Sequence, residues 1–433
     1  METTASFTGA VPVGVRAGAR PQKAWRFPLR SLPAAIGPAW LVAVGYIDPG
    51  NWATDVAGGS AYGFDLLWAV AGASLAAMVL QVLAARLGLA TGRGLADCCA
   101  EVSPPWARLV QWLLAEIAIC ACDLAELIGA AIALKLLFHL PIVLGVALTA
   151  IDSLAFLALQ KRGRRRLDAT VAALVVIIGG CLAAELVMTR PDWARALNGL
   201  TPSAASLAAP GALYMAMGMV GATVMPHNLY LHSYLLRGRP GGGSSPRPSA
   251  AGAAIDTCIA LAFALLMNAA ILILAASVFP AASRGHAAQI QDAYRLLAPT
   301  LGAPAAALFA LALLASGESA TVTATLAGQA VMQGFVKLKL RPWQRKLLTR
   351  LMALCPALVF AARWGEQGLD RLLIGCQVLL ALQLPFAMVP LLLLTADRRR
   401  MGALVSPAWL SALAWVVAGT IIVLGLGMLF AGP

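Results

Sequence analysis

The sequence predicts an all-α protein that crosses a lipid bilayer about eleven times. Its 433 residues are 60% hydrophobic and only 12% charged, with a mean hydropathy of +0.81, which excludes an ordinary water-soluble globular protein. Apolar runs of about 20 residues, the length that crosses a bilayer, recur along nearly the whole chain. Two of these runs are interrupted by a proline among small and polar residues. These three observations predict a polytopic membrane domain that contains two broken helices.

Eleven apolar runs, each bounded by charged residues or by Gly or Pro, predict the membrane-spanning helices in order. The predicted spans are 34–54, 64–85, 109–136, 141–159, 168–189, 211–236, 255–279, 304–335, 347–362, 371–394 and 408–430. This division predicts four segments. They are a cytoplasmic tail at 1–33, a first five-helix repeat at 34–200, a second five-helix repeat at 201–395 with a cytoplasmic linker at 237–252, and an additional helix at 396–433.

The Lys and Arg residues behind the formal charge of +13 are placed unevenly between the two sides of the membrane, which indicates the topology. With the N-terminus placed inside, 25 of the 32 Lys and Arg fall on the cytoplasmic side, and this asymmetry sets the orientation. The basic residues lie in short gaps between apolar runs, which argues against a nucleic-acid partner. The first 30 residues lack the apolar core of a cleaved signal peptide. The Ala-, Arg- and Gly-rich composition with short loops suits a bacterial inner membrane.

Two of the predicted spans carry matching interruptions. The strings are Asp48-Pro49-Gly50-Asn51 in span 1 and Met225-Pro226-His227-Asn228 in span 6. Because proline lacks a backbone N–H and clashes with the preceding turn, each helix should unwind there and expose carbonyl groups. Equivalent breaks in spans 1 and 6 are typical of an inverted repeat of five plus five helices, with the substrate site between the breaks. Two ordinary proline kinks are the alternative.

The two breaks carry groups that suit a metal cation. An ionised Asp48 is costly inside a bilayer, so we expect it to meet a cation or a proton. Asn51 would add an amide oxygen, and unwound carbonyls near Gly45 and Ala222 would add further hard donors. The thioether of Met225 is a soft donor, which favours transition metals over Mg²⁺ and Ca²⁺. The alternatives are an ordinary N-cap role for Asn51 and simple packing for Met225.

The residues at both breaks resemble the paired signatures of the Nramp family of proton-coupled divalent metal transporters, and the resemblance covers nearly the whole chain. Further matching strings are Gln81-Val-Leu-Ala-Ala-Arg86-Leu-Gly with Thr91-Gly92, Cys122-Asp123-Leu-Ala-Glu126, Leu229-Tyr-Leu-His232-Ser, Ala315-Ser-Gly317 with Thr323, Thr349-Arg350, and Gln377 with Gln383-Leu-Pro385-Phe. The resemblance implies a LeuT-like fold. The metal ligands that it implies are Asp48, Asn51, Met225 and a carbonyl near Ala222, with Gln377 joining when the site is occluded.

The sequence also departs from the family pattern. The family commonly has Gln where Glu318 stands, so this chain gains an intramembrane acid, which we place only as a secondary site residue. Nramp-related magnesium transporters alter the metal-site residues and lose the Met, whereas Met225 is present here. The resemblance therefore implies Mn²⁺ or Fe²⁺ as substrate, with Cd²⁺ and Co²⁺ as further ions and Mg²⁺ as the alternative.

Three acids on span 3 predict a proton route. Their spacings put Glu116, Asp123 and Glu126 on roughly one helix face, which we do not expect to face lipid. Such a row is a proton relay, a salt-bridged seam or both, and Arg350 at the inner end of span 9 is the predicted partner. The alternative partners are Arg345 and Lys346. The resemblance implies that protons pass from Asp48 toward this network.

Two histidines on span 6 are further candidates. An unperturbed histidine titrates near neutral pH, so His227, two residues after Met225, suits a relay or a gate. The alternative is a packing histidine whose nitrogens are satisfied. This alternative is stronger for His232, which we keep as a secondary site residue.

Together these features predict a secondary active transporter that imports a divalent transition metal with protons by alternating access. Metal ions, protons and the bilayer are its expected partners, with no cofactor, no enzyme activity and no obligatory protein partner. No Walker-type string indicates ATP hydrolysis. The alternatives are a transporter of the same fold for an amino acid or organic cation, a membrane-embedded metalloenzyme, and a channel. A metalloenzyme would need a ligand string such as His-Glu-x-x-His, which the sequence lacks. A channel usually has repeated charged rings.

Overall fold

The computed structural model describes residues 37–149, 164–237, 249–279, 288–336 and 342–431, and every regular element within these ranges is helical. The α-helices are α1 (Pro38–Val44), α2 (Pro49–Tyr62), α3 (Leu67–Thr91), α4 (Leu95–Val102), α5 (Pro105–Phe138), α6 (142–149 as far as it is described), α7 (Arg164–Thr189), α8 (Trp193–Asn198), α9 (Ala204–Ala208), α10 (Ala212–Thr223), α11 (Pro226–Leu236), α12 (Ala250–Val278), α13 (Ile290–Leu301), α14 (Ala303–Phe335), α15 (Pro342–Gln383), α16 (Pro385–Ala396), α17 (Arg398–Met401) and α18 (Ala408–Ala431). A turn of 3-10 helix covers Gly402–Leu404.

Eight stretches within the described ranges are long and apolar enough to cross a bilayer. They are Leu67–Thr91, Pro105–Phe138, Ala169–Thr189, Ala250–Val278, Ala303–Phe335, Leu347–Gly365, Gly368–Ala396 and Ala408–Gly427. These correspond to predicted spans 2, 3, 5 and 7 to 11. Spans 1 and 6 are each divided into two helices shorter than 18 residues, and the described part of span 4 ends at residue 149. The protein is an integral multi-pass membrane protein, as predicted.

Both predicted breaks are present. Span 1 unwinds between Val44 and Pro49, and span 6 unwinds between Thr223 and Pro226. Before the first break the helix tightens into i→i+3 bonds, from Gly45 to Ile47. Each following half-helix begins with proline at its first position, where the missing N–H removes no helical hydrogen bond. Proline chemistry thus explains both where the first half-helix stops and where the second starts.

Several boundaries differ from the prediction. Span 1 was predicted to end at residue 54, but α2 continues to Tyr62. The segment after residue 53 is rich in small and polar residues, which hides the helix from an apolar-run criterion, yet its side chains are buried inside the protein. Five short helices, α4, α8, α9, α13 and α17, were not predicted, because each is shorter than a span or too polar to resemble one.

The centre of the bundle is formed by α5 and α14, which pack against each other. α14 also contacts α7 and α11, and α12 covers α2 and α3. α15 packs against α5 and α10 and is divided by Gly365, whose φ of 61° and ψ of −144° are not helical. We call residues 342–364 the first arm of α15 and residues 366–383 its second arm. This division separates predicted spans 9 and 10.

Three predicted features fall partly or wholly outside the described residues. They are the N-terminal tail at 1–33, the second half of span 4, and most of the linker at 237–252.

We expect Gly365→Ala to lower the free energy of unfolding by about 1–3 kcal/mol, because this backbone conformation is essentially confined to glycine. The matched control is Gly72→Ala in α3, where an added β-carbon meets open space and alanine favours the helix. Thermal unfolding in detergent measures both. Equal midpoints for the two variants would contradict the strain at Gly365.

Candidate metal and proton site

Asp48 lies at the end of the first break and caps α2. Its Oδ1 accepts a hydrogen bond from the backbone N–H of Asn51 at 2.9 Å, which is the N-cap geometry. Its Oδ2 has no hydrogen-bond donor among the described residues, although the side chain is fully buried. Asp48 therefore commits one carboxylate oxygen to the helix and leaves the second for a cation or a proton.

Side chains satisfy two of the unwound carbonyls in the first break. The carbonyl of Tyr46 accepts hydrogen bonds from the amide groups of Asn51 at 2.8 Å and Asn268 at 2.9 Å. The carbonyl of Ile47 accepts a hydrogen bond from the hydroxyl of Ser316. In a bilayer such partners are required, because water does not reach the hydrocarbon core to solvate the backbone. These contacts fix the shape of the break.

The two prolines act on the carbonyls that lie four residues before them. In an α-helix the carbonyl of Gly45 would accept from residue 49 and the carbonyl of Ala222 from residue 226, but both positions are proline and carry no N–H. These are the two carbonyls that the sequence predicted as hard donors. They lie at the C-terminal ends of α1 and α10, where the helix dipole favours a positive charge.

Met225 caps the second broken helix and is fully buried. Its sulfur accepts a hydrogen bond from Nδ2 of Asn228 at 3.6 Å, which orients the thioether. The side chain of Met225 is therefore held in a fixed position at the second break, between α10 and Pro226.

Direct contacts bring the two breaks together. The hydroxyl of Thr223 donates a hydrogen bond to Oδ1 of Asn51 at 3.3 Å, across 172 residues of sequence. A β-carbon added at Gly45 would lie 2.8 Å from Nδ2 of Asn228. The first break therefore faces the end of α10 and the beginning of α11, as an inverted repeat requires.

Gln377 on the second arm of α15 contacts both broken helices. A β-carbon added at Gly50 would overlap its side-chain amide, and one added at Gly221 would overlap its backbone carbonyl oxygen. The side chain is fully buried, and neither its Oε1 nor its Nε2 has a hydrogen-bond partner in the described part of the chain. Gln377 thus lies beside the first break with an unused amide oxygen.

Glu116 on α5 forms an ion pair with Arg345, with 2.7 Å between the carboxylate Oε2 and the guanidinium. The predicted partner of the span-3 acids was Arg350, with Arg345 as an alternative, and for Glu116 the alternative is correct. Arg345 lies two residues before the membrane-spanning stretch Leu347–Gly365. The pair therefore lies close to the beginning of that stretch.

Arg350 contacts the backbone of Asp123 and the carboxylate of Glu126. One of its guanidinium nitrogens donates to the backbone carbonyl of Asp123 at 2.8 Å and lies 3.9 Å from Oε2 of Glu126. The same carboxylate oxygen accepts a hydrogen bond from Thr321 at 2.8 Å. Both Asp123 and Glu126 are buried. Glu116 and Glu126 are therefore each paired with an arginine, and the two arginines are different residues.

Electrostatic interactions link these acids to the metal site. Asp48 lies within electrostatic range of Glu126, and Asp123 lies within range of Glu116 and of His227. Acidic groups therefore lie near one another from the first break along α5.

The two histidines differ in their surroundings. Both ring nitrogens of His227 are buried without a hydrogen-bond partner among the described residues, so it is not a satisfied packing histidine. The Nδ1 of His232 lies 2.9 Å from Oε1 of Gln81, whose amide in turn donates to the hydroxyl of Tyr46 at 2.6 Å. His232 is held in a structural chain that leads back to the first break.

Sequence reasoning missed three polar residues near the breaks. Thr223 and Asn228 contact predicted ligands: Thr223 reaches Asn51 on α2, and Asn228 reaches Met225 three residues before it. Asp55 on α2 is buried and lies within electrostatic range of Asp48. Its spacing of seven residues from Asp48 on a polar helix was the available signal. Glu318, the secondary candidate, is only partly buried on α14.

Comparisons with known proteins agree with this geometry. The Nramp family profile, described as natural resistance-associated macrophage protein-like, matches residues 39–431. The divalent metal cation transporter MntH of Xanthomonas campestris is 52% identical over 402 residues, which cover 92% of this chain and 90% of the relative. MntH of a Nostoc species is 50% identical over 400 residues, with the same 92% and 90% coverage.

Solved structures define the fold. The manganese transporter of Eremococcus coleocola matches with a TM-score of 0.81 at 36% identity, covering 92% of this chain and 86% of that one. Mhp1, a nucleobase-cation-symport-1 family transporter, matches with a TM-score of 0.61 at 14% identity over 90% of each chain, which concerns the fold alone. The fold and site thus define a polytopic α-helical transporter of the predicted LeuT-like architecture.

The chain belongs to the Nramp family, which confirms the resemblance in its sequence. It is a transporter and not the membrane-embedded metalloenzyme considered as an alternative. In the described ranges, moreover, no group of three or more His, Cys, Asp or Glu could hold a metal.

We expect Gly221→Ala to lower the free energy of unfolding by about 1–3 kcal/mol, because its β-carbon would overlap the backbone carbonyl of Gln377 and main chain cannot rotate away. Gly419→Ala, whose β-carbon meets nothing within 4 Å, is the matched control. Thermal unfolding in detergent compares the two variants. If Gly221→Ala is as stable as Gly419→Ala, the close contact between α10 and the second arm is wrong.

Proposed function

We propose that the protein imports divalent transition metal ions, Mn²⁺ or Fe²⁺ and also Cd²⁺ and Co²⁺, by alternating access coupled to proton entry. The metal is the substrate, and the mechanism requires no resident cofactor. The relatives named divalent metal cation transporter and the Eremococcus manganese transporter support this assignment.

One observation carries the proposal: a buried carboxylate oxygen without a partner lies at one helix break, and an oriented thioether lies at the facing break. The oxygen is Oδ2 of Asp48 and the sulfur is that of Met225. A buried, uncompensated carboxylate is costly, so the site favours a cation or a proton. Oxygen donors alone would suit Mg²⁺ and Ca²⁺, and the sulfur shifts the preference toward softer ions.

The ligand set is Asp48, Asn51, Met225 and the carbonyls of Gly45 and Ala222. Asn51 now uses its Oδ1 as the acceptor for Thr223, so it would exchange this hydrogen bond for the metal. Gln377 would complete the set on closure, because its unused amide oxygen lies beside the first break.

Proton movement uses the series of acids along α5. Metal binding at Asp48 favours release of a proton from this carboxyl group, because two positive charges compete for the same oxygen. Glu126, Asp123 and Glu116 would then carry the proton along the helix, and His227 beside Asp123 would gate the transfer. Arg345 and Arg350 stabilise the ionised acids between transfers.

The last part of the proposal is the orientation of the protein in the membrane and the movement of its two repeats. The charge asymmetry supports a cytoplasmic N-terminus and, with the composition, a bacterial inner membrane. The two five-helix repeats at 34–200 and 201–395, followed by a helix at 396–433, supply the two parts that rock against each other. A negative interior favours entry of both cations by about 2.3 kcal/mol per charge per 100 mV. No protein partner is required.

We expect Met225→Ala to retain Mn²⁺ uptake in proteoliposomes but to lose at least about tenfold, or about 1.4 kcal/mol, of its discrimination against Mg²⁺ and Ca²⁺. The control is Met219→Ala, which removes another fully buried methionine from the same span, one that contacts Gly58. Unchanged discrimination in Met225→Ala would make this sulfur a packing group. Uptake of Mg²⁺ as well as Mn²⁺ by the wild type would overturn the substrate class.

We expect Glu126→Gln to transport Mn²⁺ without stimulation by an acidic exterior, because the amide cannot pass on a proton from Asp48. Glu101→Gln is the control, since Glu101 on α4 is about half exposed and pairs with Arg93, away from the acids of α5. The measurement is Mn²⁺ uptake with an acidic or a neutral exterior. Full acid stimulation in Glu126→Gln would remove this residue from the proton route.

A further inference from the structure

The first half of the first broken helix is capped by a residue from another helix. α1 begins after Gly37, which has no side chain to accept a hydrogen bond from the first turn. The backbone N–H of Ala39 instead donates to Oδ2 of Asp256 on α12 at 3.2 Å, across 217 residues of sequence. Because the first N–H groups of a helix have no partner within it, the carboxylate of Asp256 takes the place of the missing local cap.

The contact between Asp256 and the beginning of α1 is close as well as polar. A β-carbon added at Gly37 would overlap the carboxylate of Asp256, so this group lies directly against the first residues of α1. The backbone N–H of Gly37 also approaches the carboxylate, which is only partly exposed to solvent. A negative charge at this place is attracted by the positive end of the helix dipole. Polar attraction thus joins the beginning of α1 to α12.

Packing holds the rest of α1 to the same helix. The ring centroids of Trp40 and of Phe263 on α12 lie 5.8 Å apart. α1 contacts α12 more extensively than it contacts α11, α14 or α7. At its other end α1 stops at Val44, and the unwound residues 45–48 separate it from α2. α1 is therefore a short helix that is attached to α12 along its length and joined to α2 by an unwound segment.

α1 lies between the metal site and the cytoplasm. The charge asymmetry of the sequence puts Gly37 at the cytoplasmic end of α1, and the proposed ligand carbonyl of Gly45 follows its other end. Rotation of α1 about residues 45–48 would move the cytoplasmic end of this helix away from α12 and expose the metal site from inside. Such a rotation must first break the contact with Asp256.

We propose that Asp256 is a latch on the cytoplasmic side of the protein. It holds α1 against α12 while the inner side is closed, and it releases α1 when the metal leaves. Asp256 is thus a positioning residue that acts through α1 and touches neither the metal nor its ligands. The role in transport rests on the proposed function, whereas the attachment of α1 to α12 does not.

Amide hydrogen exchange of the metal-free protein tests the attachment, because exchange in α1 reports how often this helix opens. We expect Asp256→Ala to accelerate exchange at residues 42–44 about fivefold, which is the size of effect that loss of a capping carboxylate typically has. Asp256→Asn keeps an oxygen that caps a helix and should restore most of the protection.

The matched control is Asp97→Ala, because Asp97 caps a different helix on the cytoplasmic side. Its Oδ2 accepts a hydrogen bond from the backbone N–H of Gly94 at the beginning of α4. We expect this variant to leave exchange in α1 at the wild-type rate. Equal exchange at residues 42–44 in Asp256→Ala and Asp97→Ala would overturn the latch.

A second variant disrupts the contact from α1 and keeps the acid. The added β-carbon of Gly37→Ala would displace the carboxylate of Asp256, whereas the extended backbone at Gly37 accepts alanine without strain. We expect Gly37→Ala to accelerate exchange in α1 as Asp256→Ala does, and the double variant to add less than about a further twofold, since the two changes remove one contact. Multiplicative effects of the two changes would contradict that contact.

Mn²⁺ uptake by proteoliposomes tests the consequence for transport. A weaker latch favours the inward-open state at the expense of the state that binds external metal, so we expect Asp256→Ala to raise the KM for external Mn²⁺ about twofold to about fivefold. Asp256→Asn should lie closer to the wild type, and Asp97→Ala should equal it. An unchanged KM in Asp256→Ala would overturn the role in transport, whereas absence of uptake by the wild type would instead overturn the proposed function.

Discussion

The structure depends on one constraint: a proline within a membrane-spanning helix removes a hydrogen-bond donor where no water can replace it. Pro49 and Pro226 impose this constraint at matching points of the two repeats. Each deprives the carbonyl four residues earlier of its helical partner and places a new half-helix immediately after the break. The protein satisfies the neighbouring carbonyls of Tyr46 and Ile47 with side chains from other helices. The polar groups that remain at the breaks are the ones that we propose as the metal site.

The same constraint explains how the proposed site would discriminate between cations. Backbone carbonyls and one carboxylate give a hard, electronegative environment, and they alone would accept many divalent ions. Met225 adds a polarisable sulfur at a point fixed by Asn228, so the site combines hard and soft donors. An organic cation would use the charge of Asp48 but not the sulfur. The amide of Asn228 that orients the sulfur therefore favours a metal over an amino acid or organic cation.

Local chemistry was predictable from the sequence, and long-range pairing was not. The two breaks follow from the positions of Pro49 and Pro226 alone. The same positions identify the carbonyls of Gly45 and Ala222, four residues earlier, as the ones that lose their helical partner. The partner of Glu116 could not be predicted with the same certainty. Arg345 lies 229 residues away in the sequence, and neighbouring basic residues carry the same charge. The continuation of α2 through Asp55 was also missed, since a helix buried within protein need not be apolar in sequence. Gly365 divides α15 through its backbone conformation, which the sequence does not display.

The central claim is that one metal ion receives an oxygen of Asp48 from the first break and the sulfur of Met225 from the second. X-ray absorption spectroscopy of Cd²⁺ bound to the purified protein tests it most directly, because sulfur and oxygen neighbours scatter differently. We predict one sulfur together with several oxygens around Cd²⁺ in the wild type, and only oxygens in Met225→Ala. An all-oxygen environment in the wild type, or a sulfur that persists in the variant, would contradict the account.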